Sequence, residues 1–249
     1  MSILSSKEDW RHSASKIKTM SKTPQQFVYD QIFDIERSSN DLMKRGNVTE
    51  LIAQFILGED RTDQEILHYA RATANDFEIE DRFNVGWSIL CAREMVEELE
   101  KRQLSKIENY QEEFRDHLKD FKFYQLGYSD FTFKDITVDL KSKSRMPNNN
   151  IADFGDVLQQ SFYWGLSGKK RRFALLYATT KKSLFIEIPK KELMKGWEIC
   201  LHNMRLIEKL DDMCKTKQDW LDLFPYPDVG TFYYSDDDYV EKINKLYNL

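Results

Sequence analysis

The sequence predicts an α/β fold: one mixed sheet with helices before it, within it and after it. Three observations predict this. In the first half of the chain, apolar residues recur at helical spacing behind helix-capping residues. From Phe121 the pattern changes to β-branched and aromatic residues in near alternation. One further helical stretch, Asp153–Leu166, then precedes two short apolar runs. The order helices, β-β-β-α-β, helices therefore implies a mixed sheet.

The elements follow in order. Thr23-Pro24 places Pro at the first position of a helix running to roughly Arg37. Gly46–Leu57 carries Val48, Leu51, Ile52, Phe55 and Ile56 as a helical stripe. Thr62-x-x-Glu65 is a capping box for a helix reaching about Asn75, and Phe83–Arg102 gives a longer one. Ser105-x-x-Glu108 reads as the cap of one more. Phe121–Asp139 reads as three short strands broken at Gly127 and at Lys134-Asp135, the last two joined by a tight turn. Phe173–Thr179 and Leu184–Ile188 read as strands, and the rest as mainly helical apart from Phe224–Tyr234. With 249 residues, 41% of them hydrophobic, and no repeat or linker, the chain reads as a single domain. Its parts are a helical 1–120, a sheet region 121–188 and a helical extension 189–249.

Composition removes several classes. No apolar run is long enough to span a membrane, and the first residues lack the apolar core of a signal peptide. Cys91, Cys200 and Cys214 are odd in number and widely spaced, which argues against a disulfide framework and for a reducing compartment, hence the cytoplasm. His12, His68, His117 and His202 show no metal-binding spacing. The net charge of −5 speaks against nucleic acid when taken alone.

The chemistry concentrates in Gly127–Lys143, GYSDFTFKDITVDLKSK. Asp139 and Lys141 are two apart on a strand and so share a face, and a hairpin brings Asp130 beside them. Carboxylates held together repel unless a cation lies between them. A hard divalent ion such as Mg²⁺ or Mn²⁺ takes such oxygen ligands, and a lysine beside it positions a water or stabilises charge on a phosphate. On its own this segment also fits a solvated strand face with an Asp–Lys ion pair.

The wider pattern resembles the PD-(D/E)XK nucleases, in the RecB-like branch that includes mitochondrial genome-maintenance exonucleases and phage exonucleases. The matching pieces are Gly127-x-x-Asp130, Asp139-x-Lys141 and Gln159-x-x-x-Tyr163, the last pair one helical turn apart. Upstream, Arg45-Gly46 followed by Glu50 resembles the helix that adds an acidic or His residue to the site. Glu50 departs from the His of the nearest branches and is closer to the Glu of phage recombination exonucleases. Ser13, Ser15, Ile17, Pro24 and Phe27 match the family's opening, whereas Thr23 stands where iron–sulfur members carry a cysteine. No iron–sulfur cluster is expected.

The resemblance implies a restriction-endonuclease-like core, α-β-β-β-α-β, with large helical additions. It implies a metal-dependent deoxyribonuclease hydrolysing phosphodiester bonds, foremost an exonuclease on single-stranded or frayed ends in phage or bacterial DNA processing. Asp130, Asp139, Glu50 and the Leu140 carbonyl would hold Mg²⁺ or Mn²⁺, Lys141 would orient the attacking water, and Gln159 and Tyr163 would contact DNA. An endonuclease on the same core, or a nonenzymatic binding module with a residual nuclease fold, are the alternatives. Charge placement adds DNA contacts. Residues 141–195 hold twelve basic and four acidic residues, a balance of +8 inside an acidic chain. Lys143 and the run Lys169, Lys170, Arg171 and Arg172 are accordingly read as phosphate contacts. The helices of 60–118 are read, by analogy, as an arch or wall over the cleft.

Overall fold

The structure is a computed structural model describing residues 2–35, 41–79, 81–231, 234 and 236–247. Helices α1 (Ala14–Lys22), α2 (Pro24–Gln31), α3 (Asp41–Ile56), α4 (Asp63–Asp76) and α5 (Arg82–Lys101) come first. Strands β1 (Asn109–Asp116), β2 (Gln125–Thr132) and β3 (Ile136–Ser142) follow, then α6 (Phe154–Leu166), β4 (Arg172–Ala178) and β5 (Ser183–Glu187). Helices α7 (Lys190–Met213), α8 (Lys217–Asp222) and α9 (Asp237–Leu246) end the order. The five strands form one sheet in sequence order, antiparallel throughout except for β3 and β4. Those two run parallel, with Asp139 level with Leu175, and α6 makes the crossover between them. The protein is thus mixed α/β, as the pattern predicts.

Two helical layers cover the sheet, and β4 shows why. It is buried from Phe173 onward, as a central strand flanked by a parallel neighbour should be. Phe173, Leu175 and Tyr177 pack with α1, α6 and α7, while Ala174, Leu176 and Ala178 pack with α3, α4 and α5. Burying each large apolar side chain contributes roughly 1.5–3 kcal/mol before entropy is set against it. A smaller cluster of Tyr29, Leu221, Tyr234, Tyr239 and Ile243 ties α9 to α2 and α8. The segment 60–101 is therefore a structural layer beneath one sheet face. Among the described residues, no helix is long and apolar enough to cross a membrane. All three cysteines are buried and free.

Several boundaries differ from expectation. Ser105 and Glu108 precede a strand, not a helix. NYQEEFRD pairs along β2 with Phe114 buried and its charged residues largely exposed, so its polarity reflects an edge strand with one wet face. The stretch 121–139 accordingly yields two strands, and Gly127 lies within β2 instead of breaking it. The tight turn at Lys134-Asp135 is present, closed by the Phe133 amide on the Ile136 carbonyl at 2.9 Å. Helix α2 stops at Gln31, and Asp34 takes φ 57° soon after; Arg37 lies outside the described residues.

Two irregularities prepare the site. The β1–β2 register breaks at Gln111, opposite Asp130, where Gln111 adopts φ 49°. Tyr110 packs with the α3–α5 layer but Phe114 with the α6–α7 layer, although four residues of one strand should leave them on the same face. The kink therefore swaps the faces of β1. Beside it, β2 and β3 pair only at Phe131–Val138 and Thr132–Thr137 and then part. The N-terminal segment fills the far end of that fork: His12 donates its amide to the Tyr124 carbonyl at 3.0 Å and accepts from the Leu126 amide at 2.9 Å.

Candidate active site

The mouth of the fork is polar. Asp130 takes the place of the missing ladder partner: its Oδ2 accepts the Leu140 amide at 2.7 Å. The N–H and C=O of one strand residue point to the same edge, so the Leu140 carbonyl also faces the fork. Asp139 is completely buried, and its Oδ2 lies 2.5 Å from Lys141 Nζ. Glu50 reaches the same place from α3. It meets the side chains of Tyr110 and Gln111 at the kink, and its Oε1 is buried with no hydrogen-bond partner.

The electrostatics are those of crowded carboxylates. Burial, then the charges of Asp139 and Glu50, push Asp130 well above the usual carboxylate range. Burial raises Glu50 against the hydrogen bonds from Tyr110 and Gln111, and the Asp139 charge raises it further. Burial also raises Asp139, with Lys141 only partly offsetting it. Lys141 behaves in the opposite way. Burial disfavours its charge, but Asp139, Asp130 and Asp156 outweigh that and raise it above an ordinary lysine. It is an ammonium at neutral pH, able to donate hydrogen bonds but not to act as a base. As placed, the described residues contain no cluster of three or more His, Cys, Asp or Glu side chains that could hold a metal ion. The donor chemistry nevertheless fits a hard cation: three carboxylates crowd one ammonium, and the oxygen at Glu50 Oε1 is orphaned.

Helix α6 closes the site. Gln159 Nε2 donates to Asp139 Oδ1 at 3.2 Å and to the Tyr163 hydroxyl at 3.0 Å. The i, i+4 pair therefore faces the catalytic strand, as its spacing predicts. Phe162 and Trp164 point into the core, and Tyr163 is itself 5% exposed. The Tyr163 ring packs directly on Gly127 of β2, where an added Cβ would collide with it, falling 2.8 Å from its Cδ1. That contact accounts for glycine in Gly127-x-x-Asp130. Gly127→Ala is expected to displace Tyr163 and to cost about 1–3 kcal/mol by overpacking. Thermal unfolding measures the cost, and an unchanged midpoint would refute the contact.

Sequence reasoning missed one buried carboxylate, Asp156, on the first turn of α6. Its Oδ1 accepts from Lys18 Nζ at 2.9 Å, and its Oδ2 accepts from the Tyr177 hydroxyl at 3.1 Å and lies 3.5 Å from Lys143 Nζ. Burial acts to raise it, but Lys18, Lys141 and Lys143 outweigh burial and hold it at about 2. Its partner Lys18 is far away in sequence and carries no motif, so the signal was absent.

The basic run is not part of this constellation. The parallel register sets Arg172 level with Ile136, at the opposite end of β3 from Lys141. Arg171 pairs with Glu112, and Arg172 pairs with Asp135 at 2.6 Å and Glu187 at 3.1 Å. Lys169 and Lys170 are exposed at that far end, Lys169 bordering a groove of about 470 Å³ with Trp164 and Trp197. Of the basic residues assigned to DNA, Lys143 alone stands beside the site.

The fold and site together define a mixed α/β protein: a helical N-terminal region, a five-stranded mixed sheet with a helix interposed, and C-terminal helices. No family model and no curated protein matches the sequence. Among solved structures, the crystal structure of SSO0001 aligns with 63% of this chain and 84% of its own, at 10% identity and a TM-score of 0.32.

Proposed function

We propose that this protein is a metal-dependent deoxyribonuclease of the PD-(D/E)XK kind. The observation that carries the reading is convergence. Glu50, Asp130, Asp139, Lys141 and Gln159 come from α3, β2, β3 and α6, and they meet where β2 and β3 part. Asp130, Asp139 and Glu50, with the Leu140 carbonyl, would hold Mg²⁺ or Mn²⁺. Such an ion, when bound, supplies Lewis acidity to a phosphate oxygen and to water.

The remaining roles belong to the chain's own groups. Lys141, fixed as an ammonium by its acidic neighbours, donates hydrogen bonds that orient water and meet charge developing on the phosphate. Gln159 fixes the Asp139 carboxylate through one amide hydrogen and Tyr163 through the other. Tyr163 is buried against Gly127, so it supports Gln159 from behind and does not present the DNA-contact face expected of it. The substrate preference follows the family resemblance: a free end of single-stranded or frayed DNA. Linear and covalently closed circular DNA, each single- and double-stranded, test this with Mg²⁺. Degradation of the linear forms with the circles intact is expected. Cleavage of the circles would make the protein an endonuclease, and retention of all four substrates would overturn the nuclease reading.

A further inference from the structure

The carboxylates form only half of the site. Beside Asp139, which pairs with Lys141, two further ammonium groups, Lys18 and Lys143, flank the single buried side chain of Asp156. The lysines come from different elements. Lys18 crosses from α1, and Lys143 follows the end of β3. Lys18 is held on one carboxylate oxygen and Lys143 approaches the other, so the two cannot collapse together. The carboxylate is fixed in turn by the Tyr177 hydroxyl, which also accepts the Asp153 amide at 3.1 Å. The ends of the Lys18 and Lys22 side chains pass directly over Gly155, where a Cβ would lie 2.6 Å from Lys18 Cε and 2.7 Å from Lys22 Cε.

Asp156 itself is 3% exposed, whereas Lys18 and Lys143 are 33% and 39% exposed. The anchor is therefore hidden and the ammonium groups reach solvent at the rim. Two cations around one anion leave one positive charge over, beside the proposed scissile position.

We propose that Asp156 is a positioning residue, and that Lys18 and Lys143, which it holds, bind the backbone phosphate next to the one being cleaved. The proposal rests on the nuclease reading and assigns the strand a path over the first turn of α6 instead of toward the run at Lys169–Arg172. Charge alone predicts the opposite effect for Asp156. Removing one negative charge from a polyanion site should tighten binding, whereas removing an anchor should loosen it, because each released lysine regains rotamer freedom.

The full-length chain, Lys18→Gln, Lys143→Gln, Asp156→Asn and the Lys18→Gln/Asp156→Asn double variant test this with a single-stranded oligonucleotide. Binding is measured over a range of salt in EDTA, and cleavage is measured with Mg²⁺. Each lysine variant is expected to lower the slope of log affinity against log salt by about 0.7, the single-strand value for one phosphate contact. Asp156→Asn is expected to raise KM roughly tenfold with kcat within about threefold. The double variant is expected to be little worse than Asp156→Asn alone, because Lys18 acts through that anchor, but worse than Lys18→Gln, which leaves Lys143 held. Unchanged salt slopes in both lysine variants overturn the phosphate role, even if Asp156→Asn fails to fold. An Asp156→Asn protein with lower KM, or with kcat lost at constant KM, overturns the positioning role. Wild-type protein that binds DNA with the lysine-dependent slope but cleaves nothing sinks the nuclease reading and leaves the phosphate site standing. Cleavage with unchanged lysine variants does the reverse.

Discussion

Lys141→Ala is expected to abolish DNA cleavage, by at least about a hundredfold, the scale seen when one preorganised donor to a developing negative charge is removed. It should also expose the cost of the carboxylate the lysine accompanies. Asp139 is 0% exposed and has Lys141 Nζ 2.5 Å away. Truncating one partner of a buried pair typically costs about 3–5 kcal/mol, because the survivor keeps its charge in a poor solvent. The stability loss should be greatest at neutral pH and should shrink in mild acid. There Asp139, already raised by burial, takes up a proton and no longer needs a counter-ion. Chemical denaturation at two pH values reads this directly. Retention of wild-type cleavage by Lys141→Ala would remove the lysine from the mechanism.

Asp130→Asn is expected to do two opposed things: stop cleavage and stabilise the metal-free protein. Asp130 is pushed well above the ordinary carboxylate range, first by burial and then by Asp139 and Glu50. A carboxyl raised in the folded state contributes stability fully below its unfolded value of about 4, and that contribution is lost as pH rises through the folded value. In EDTA the wild type should therefore lose stability from weakly acidic pH toward neutrality, with Glu50 and Asp139 contributing in the same direction. Asparagine keeps an oxygen that can accept the Leu140 amide but carries no charge. The variant should therefore be more stable than the wild type at pH 7 in EDTA, because it no longer carries that charge among the other carboxylates. Mg²⁺ or Mn²⁺ should raise the melting temperature of the wild type and barely move that of Asp130→Asn. A variant less stable than wild type in EDTA at pH 7 would show that the carboxylates do not repel one another as described.

How much was legible in the sequence depended on the range of each interaction. Asp139 and Lys141 are two residues apart on a strand and Gln159 and Tyr163 four apart on a helix, so periodicity alone places each pair on one face. Asp130 follows from the hairpin that returns it beside Asp139, whereas Glu50 becomes a candidate only through the family pattern, since nothing local distinguishes it. β1 was misread because an edge strand with one wet face carries enough charge to look helical. The kink at Gln111, which swaps the faces of β1 beside Asp130, has no marker in a run of polar residues. Asp156 was invisible for a different reason: its importance comes from Lys18, 138 positions away. The basic run was misplaced by reading sequence distance as spatial distance. A parallel crossover returns the chain to the start of the neighbouring strand, so Arg172 lies level with Ile136 and not with Lys141.

The most direct test of the central claim is cleavage of end-labelled single-stranded DNA by the wild type and by Asp139→Asn, purified in parallel and assayed with Mn²⁺, Mg²⁺ or EDTA. The wild type is expected to shorten the labelled strand with either metal and not in EDTA, and Asp139→Asn to leave it intact under every condition. Equal cleavage by both proteins, or cleavage by the wild type in EDTA, would contradict a metal-dependent site built on Asp139.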